Sequence, residues 1–148
     1  MFLTWRSGDS FPVVASFSQQ EEFASRAVRT FPVRSILIVE DEVLTSEYLE
    51  FVLQEAGYEV IPAASADEAI AVLEHRDDVD LIVTDINLPG GLNGLQLAAL
   101  VKHRWAAINI IVVTGYSPPR SEEIPTGSLF VPKPYSARKM IEAVRHFQ

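Results

Sequence analysis

The chain has 148 residues, about the size of one domain, and 48% of them are hydrophobic, enough to fill one sizeable core. This length excludes a multi-domain enzyme within the sequence. The 20 acidic residues outnumber the 12 basic residues, so the net charge is −8. Because DNA and anionic membranes would repel such a domain, we expect it to bind neither. There is no cysteine, which excludes disulfides, thiolate metal sites and cysteine nucleophiles.

The sequence indicates a cytoplasmic protein. No apolar stretch approaches the roughly 18 residues that are needed to span a bilayer. The N-terminus does not match a signal peptide, because Asp9 follows Arg6 and Pro12 interrupts the short apolar stretch 11–17.

Residues 1–34 are predicted to form an extension with one amphipathic helix. Ser18 and Glu21 have the spacing of a capping box, apolar residues follow at helical spacing up to Phe31, and Pro32 ends the pattern. A single helix of this length is marginal in water. We therefore expect it to lie on the main domain, residues 35–148, or to form a leader without stable structure; the alternative is a helix that binds a dimer mate or partner.

From residue 35 onward, strands and helices alternate. The helix at 45–56 is predicted to bury Tyr48, Leu49 and Val52, and Pro62 makes the second strand an edge strand. The alternation predicts a flavodoxin-like, doubly wound α/β fold, in which a five-stranded parallel sheet of order 2-1-3-4-5 carries helices on both faces. The strands are expected at 36–39, 58–63, 81–84, 109–113 and 128–131, and the other helices at 65–75, 95–103 and after Ser136.

The crossover between the fourth and fifth strands departs from this alternation. Pro118, Pro119 and Pro125 interrupt it, and only residues 121–124 could form a turn. The helix that belongs in this crossover, the fourth of the doubly wound order, is therefore predicted to be short or missing.

Acidic side chains follow two strands that are neighbours in this order. Glu40 and Asp41 come after the first strand, and Asp85 ends the third. Two carboxylates about 4 Å apart repel each other by about 4 kcal/mol at an effective dielectric constant of 20, so they need a proton or a cation. Oxygen ligands beside a phosphate site suit Mg²⁺. Thr114 and Lys133, after the fourth and fifth strands, would add a hydroxyl and a positive charge, and the whole set suits a phosphoryl group.

The segment 36–147 resembles the receiver domain of two-component response regulators, over about three quarters of the chain. Each matching motif is weak alone, but four in order, each just after a strand, form a strong pattern. The motifs are Ile36-Leu37-Ile38-Val39-Glu40-Asp41-Glu42, Asp85-Ile86-Asn87-Leu88-Pro89, Thr114-Gly115 and Lys133-Pro134.

The resemblance implies that Asp85 accepts a phosphoryl group from the phospho-His of a sensor histidine kinase or histidine phosphotransferase. It implies that Mg²⁺ binds the side chains of Asp41 and Asp85 and the backbone carbonyl of Asn87, with Glu40 acting through a metal-bound water. Lys133 would pair with one phosphoryl oxygen.

The resemblance also implies a switch. Thr114 would hydrogen-bond a second phosphoryl oxygen, and Phe130 matches the aromatic position whose ring turns inward when Thr114 moves. Asn87 and Tyr116 occupy positions that modulate dephosphorylation in the family.

The sequence departs from the family pattern in two places. The step from Asp85 to Gly94 is one residue longer than in most receivers, and Gly90-Gly91 is expected to absorb the extra residue in a loop. Thr114-Gly115-Tyr116 is partly like a subset of receivers with a Thr-Gly-Tyr motif and a degraded fourth helix. In the family, the bond corresponding to Lys133–Pro134 is cis.

We expect a stand-alone receiver, since only 15 residues follow Lys133, and one that catalyses only its own phosphorylation and dephosphorylation. It would signal by contact with a downstream protein or by phosphorelay. The alternative is a phosphorylation-independent interaction module on the same fold, which predicts the loss of an acidic or lysine position. An aspartate-nucleophile phosphatase would need an acid where Asn87 stands. A flavin protein would need a phosphate-binding loop where the acidic segment 40–42 would repel phosphate.

Overall fold

The computed structural model describes residues 32–148, of which Val33–Phe147 form a compact unit. The helix predicted at residues 18–31 lies outside the described residues. The division of the chain at residue 34 stays a prediction.

Strands and helices alternate through the described part of the chain, and every paired strand is parallel. The sheet order is β2-β1-β3-β4-β5, which confirms the flavodoxin-like fold. None of the helices between residues 32 and 148 has the length and apolar character that crossing a membrane requires. The elements are β1 Ser35–Val39, α1 Val43–Glu55, β2 Glu59–Ala63, α2 Ala66–His75, β3 Leu81–Asp85, α3 Gly94–Arg104, β4 Asn109–Thr114, β5 Leu129–Pro132 and α4 Ala137–Arg145.

The sheet buries both of its faces. Side chains alternate along β1, so Ile36 and Ile38 pack in the cluster formed with α1 and α4, while Leu37 and Val39 pack in the cluster formed with α2 and α3. All five residues of β1, and all five of β3, are buried. Such two-sided burial explains why these strands read as apolar runs in the sequence. The two central strands therefore end at positions fixed by the core.

Helix α1 differs from the prediction in its start and in one buried residue. It begins at Val43 and buries Leu49, Val52 and Leu53. The prediction that Tyr48 faces inward is wrong, because 46% of this residue is exposed. Tyr48 precedes Leu49 by one residue, so it lies at the margin of the buried stripe and lines a surface groove instead.

The crossover between β4 and β5 contains one short 3₁₀ turn, Ser121–Glu123, in place of an α-helix. The Arg120 backbone N–H donates to Glu123 Oε1 at 2.7 Å at the start of this turn. The predicted loss of the fourth helix is confirmed. The Lys133–Pro134 bond after β5 is cis, as the resemblance implies.

Gly94 determines how closely α3 approaches the end of β3. Asn93 and Gln96 form a reciprocal capping box at the start of α3, and the Gly94 N–H donates to the Ile86 carbonyl at 2.8 Å. A Cβ at residue 94 would lie 1.9 Å from the Asp85 carbonyl oxygen, so only glycine permits this approach. Helix α3 thus packs directly on the backbone of Asp85.

Replacing this glycine tests that packing. We expect Gly94→Ala to lower the free energy of unfolding by about 2 kcal/mol, because the backbone around Asp85 must shift. Gly91→Ala is the matched control: a Cβ there meets nothing within 4 Å, so we expect a change of about 0.5 kcal/mol or less. Urea unfolding of both variants measures the difference, and equal stabilities would contradict this account.

Candidate functional site

The carboxyl ends of four strands bring the chemically active side chains to one edge of the sheet. Glu40 and Asp41 directly follow β1, and Asp85 is the last residue of β3, the neighbour of β1. Thr114 is the last residue of β4, and Lys133 directly follows β5. Because all these strands are parallel, residues far apart in the sequence meet in one pocket.

Lys133 joins the two buried carboxylates of this pocket. Its Nζ donates to Glu40 Oε1 at 2.9 Å and to Asp85 Oδ2 at 3.1 Å. Only 6% of Glu40 and 7% of Asp85 are exposed. The other carboxylate oxygen of Glu40 accepts from the Glu42 backbone N–H at 3.1 Å. One ammonium therefore offsets the repulsion between two acids that water reaches poorly.

The surroundings shift the pKa of both partners. Burial raises the pKa of Glu40 above its ordinary value of 4.5, although the hydrogen bond from Lys133 opposes this shift. Burial acts to lower the pKa of Lys133, but the hydrogen bonds to Glu40 and Asp85 outweigh burial, so the pKa of Lys133 is raised above 10.5. The ammonium thus stays charged at neutral pH.

Three carboxylates are arranged so that they could share a cation. One ligand oxygen each from Glu40, Asp41 and Asp85 lies within 4.8 Å of the others, and Asp41 is exposed while the other two are buried. Lys133 balances only part of their charge. The remaining negative charge and the oxygen-only donor set fit Mg²⁺, which binds a few carboxylates and keeps several waters.

Asn87 connects Asp85 to Thr114. Its backbone N–H donates to Asp85 Oδ1 at 3.1 Å, and its side-chain Nδ2 donates to Thr114 Oγ1 at 3.2 Å. The Tyr116 backbone N–H also donates to Thr114 Oγ1, at 3.2 Å. The side-chain contact between Asn87 and Thr114 was not predicted from the sequence, because nothing in their separation of 27 residues signals it.

Phe130 and Thr114 share one face of the sheet. In the pairing of β4 with β5, Val112 lies opposite Phe130 and Thr114 lies opposite Pro132. Side chains two residues apart on a strand point the same way, so Phe130 stands one step behind Thr114. Phe130 is half-buried, whereas Tyr116 is 79% exposed.

Helix α1, which begins next to the pocket, presents an exposed apolar surface that was not predicted from the sequence. Its large exposed side chains, together called the α1 patch here, are Val43, Leu44, Tyr48 and Phe51. Leu44 and Tyr48 line the same groove as Lys133. Burial raises the pKa of Tyr135, on the wall of this groove, to about 12, so its hydroxyl is neutral.

Curated proteins with similar sequences include response regulators and transcriptional regulatory proteins. The phosphate regulon transcriptional regulatory protein PhoB of Klebsiella pneumoniae is 33% identical over 117 residues, which cover 76% of this chain and 50% of PhoB. The hydrogenase transcriptional regulatory protein HoxA of Cupriavidus necator is 34% identical over 117 residues, which cover 75% of this chain and 23% of HoxA. The chain spans half or less of the length of the curated relatives it matches.

Solved structures with the same fold include the response regulator protein TrrA from Thermotoga maritima, in complex with Mg²⁺-BeF. It is 31% identical, with a TM-score of 0.71 over 78% of this chain and 100% of TrrA. A CheY-like receiver domain protein from Methanospirillum hungatei JF-1 is 28% identical, with a TM-score of 0.69 over 77% of this chain and 92% of that protein. A family model, the response regulator receiver domain, matches residues 36–145. With its parallel sheet and the acids at its edge, the chain belongs to the family of response regulator receiver domains.

Proposed function

We propose that the chain is a Mg²⁺-dependent phosphoacceptor that takes a phosphoryl group on Asp85 from the phospho-His of a sensor histidine kinase or histidine phosphotransferase. The observation that carries this proposal is the environment of Asp85. This buried carboxylate touches the Lys133 ammonium and lies beside Glu40 and Asp41, whose oxygens can share a cation with it. The phosphorylated domain would then signal by contact with a downstream protein, or it would pass the phosphoryl group on in a phosphorelay.

The transfer requires one bond to form and one to break. A carboxylate oxygen of Asp85 attacks the phosphorus, and the P–N bond to the donor histidine breaks, with its electron pair returning to the imidazole nitrogen. Lys133, at 3.1 Å from Asp85 Oδ2, holds the acceptor before the attack and pairs with a phosphoryl oxygen afterwards. In this scheme the chain catalyses only its own phosphorylation and dephosphorylation.

The acidic cluster would hold the metal. The side chains of Asp41 and Asp85 and the backbone carbonyl of Asn87 would be direct ligands, and Glu40 would act through a bound water. When bound, the ion supplies positive charge that offsets the charge of the phosphoryl oxygens.

Thr114 and Phe130 would report the phosphorylation state. A phosphoryl group on Asp85 would draw the Thr114 hydroxyl toward it, and the space this leaves lies on the same face as the half-buried Phe130 ring. Asn87 and Tyr116, each two residues after a strand end of the pocket, stand at the positions that modulate dephosphorylation in the family and would do so here.

The α1 patch supports a protein as the phosphodonor. Two of its side chains, Leu44 and Tyr48, line the groove that Lys133 also lines, so a phospho-His protein seated on them would bring its histidine near Asp85. Large apolar side chains gathered on one exposed surface are typical of protein contacts.

The class of function can be tested by intact mass. After incubation with acetyl phosphate and Mg²⁺, the wild type is expected to gain one phosphoryl group and Asp85→Asn none. Asp67→Asn, an exposed acid on α2, is the matched control and should be modified like the wild type. A folded wild-type protein that gains no phosphoryl group would favour the phosphorylation-independent interaction module instead.

The metal site can be tested by thermal unfolding. At a Mg²⁺ concentration ten times Kd, binding to the native state should stabilise the wild type by about 1.4 kcal/mol, which raises Tm by a few degrees. Asp41→Ala should abolish this rise as well as phosphorylation by acetyl phosphate. Glu55→Ala removes an equal charge at the far end of α1 and should keep the full rise. A Mg²⁺-dependent rise that persists in Asp41→Ala would exclude Asp41 as a ligand.

The donor surface can be tested by comparing two phosphodonors. The first phosphodonor is a purified phosphorylated histidine kinase that modifies the wild type. Leu44→Ser and Phe51→Ser should each slow phosphoryl transfer from this kinase by tenfold or more, which corresponds to about 1.4 kcal/mol in activation free energy. The same variants should leave the rate with acetyl phosphate unchanged, since the pocket is intact. Gln54→Ser, exposed on the same helix, controls for helix propensity. Equal kinase rates in all variants would place the donor on another surface.

A further inference from the structure

We propose that Asn87 is a positioning residue whose side-chain amide sets the Thr114 hydroxyl as a hydrogen-bond donor toward a phosphoryl group on Asp85. This inference rests on the proposed phosphoacceptor function and adds a role for the side chain of Asn87, separate from that of its backbone carbonyl. It concerns how the resting pocket is prepared for the charge that phosphorylation brings.

The first step of the argument is the hydrogen-bonding capacity of a hydroxyl group. A threonine hydroxyl has two lone pairs and one proton. In this pocket, Asn87 Nδ2 and the Tyr116 backbone N–H both donate to Thr114 Oγ1, each at 3.2 Å. The two donors occupy both lone pairs, so the hydroxyl can engage a further partner only by donating its proton.

The second step is burial. Only 2% of Thr114 is exposed, so few water molecules can reach its hydroxyl and compete for its hydrogen bonds. Asn87 itself is anchored, because its backbone N–H donates to Asp85 Oδ1 at 3.1 Å. A single residue therefore spans from the acceptor carboxylate to the hydroxyl that faces the same pocket.

The third step is energetic. A hydroxyl whose proton is already free to donate needs less reorganisation when negative charge develops on the phosphoryl oxygens, even though the side chain must still move toward them. Without the Asn87 amide, one lone pair of the Thr114 hydroxyl loses its donor and the hydroxyl gains rotational freedom. The hydroxyl proton then points away from the phosphoryl group for part of the time. The contribution of the Asn87 side chain to the rate of phosphorylation should therefore depend on the Thr114 hydroxyl.

This dependence separates the proposal from other roles for residue 87. A side chain that contacted the phosphodonor directly would affect the rate of phosphorylation whether or not Thr114 has a hydroxyl. A purely structural side chain would change stability or Mg²⁺ affinity. Asn87→Ala retains the backbone carbonyl and the backbone N–H, so the proposed metal ligand and the contact with Asp85 Oδ1 remain.

The test is a double-mutant cycle on the rate of phosphorylation by acetyl phosphate at saturating Mg²⁺. Asn87→Ala is made in the wild type, in Thr114→Ser, which keeps the hydroxyl, and in Thr114→Val, which replaces it with a methyl group of similar size. We expect Asn87→Ala to slow the reaction about fivefold in the first two backgrounds, the order expected for one hydrogen bond. In the Thr114→Val background we expect no further loss.

Each outcome decides the matter. An equal loss in the Thr114→Val background, or no loss in the wild type, would overturn the role of Asn87 while leaving the phosphoacceptor function in place. A parallel fall in Tm or in Mg²⁺ affinity that accounts for the slower rate would also overturn it. A wild type that gains no phosphoryl group would overturn the proposed function itself, and this inference with it.

Discussion

The Lys133 ammonium between Glu40 and Asp85 is the interaction on which the pocket depends. Two carboxylates that are almost fully buried repel each other, and removing either from water is costly unless a charged partner is present. Lys133 satisfies both at hydrogen-bond distance across 93 and 48 residues of sequence. Truncating such a partner leaves buried charge uncompensated, so the lysine is as much a structural requirement of the sheet edge as a chemical one.

The geometry of the sheet makes this interaction possible. Because the strands are parallel, the carboxyl ends of β1, β3, β4 and β5 lie at one edge of the sheet. The buried strands β1 and β3 fix the positions of Glu40 and Asp85 at this edge. The close approach of α3 at Gly94 fixes the backbone of Asp85 from the side. Apolar packing of the strands and of α3 thus holds the charged side chains of the pocket in fixed positions.

The sequence predicts most of this framework, for identifiable reasons. Uninterrupted apolar strands, capping residues and prolines are local signals, so the strand order, the edge position of β2 and the missing helix could all be predicted. The order of the strands then brings Glu40, Asp85 and Lys133 together. The exposure of Tyr48 could not be foreseen, because a residue at the margin of a helical stripe is buried or exposed according to what packs beside it. The contact between Asn87 and Thr114 depends on rotamers and loop geometry that carry no sequence period.

The two outer strands of the sheet have a consequence for how the domain meets other chains. An exposed strand edge offers unpaired backbone groups on which a second sheet could grow. Here β2 is five residues long and contains Pro62, and β5 is four residues long and ends in Pro132. A proline on an edge strand removes a backbone donor, and short strands offer few others. Pairing of these edge strands with strands of another molecule is therefore disfavoured. This favours contacts with partner proteins through the helices and loops of the domain.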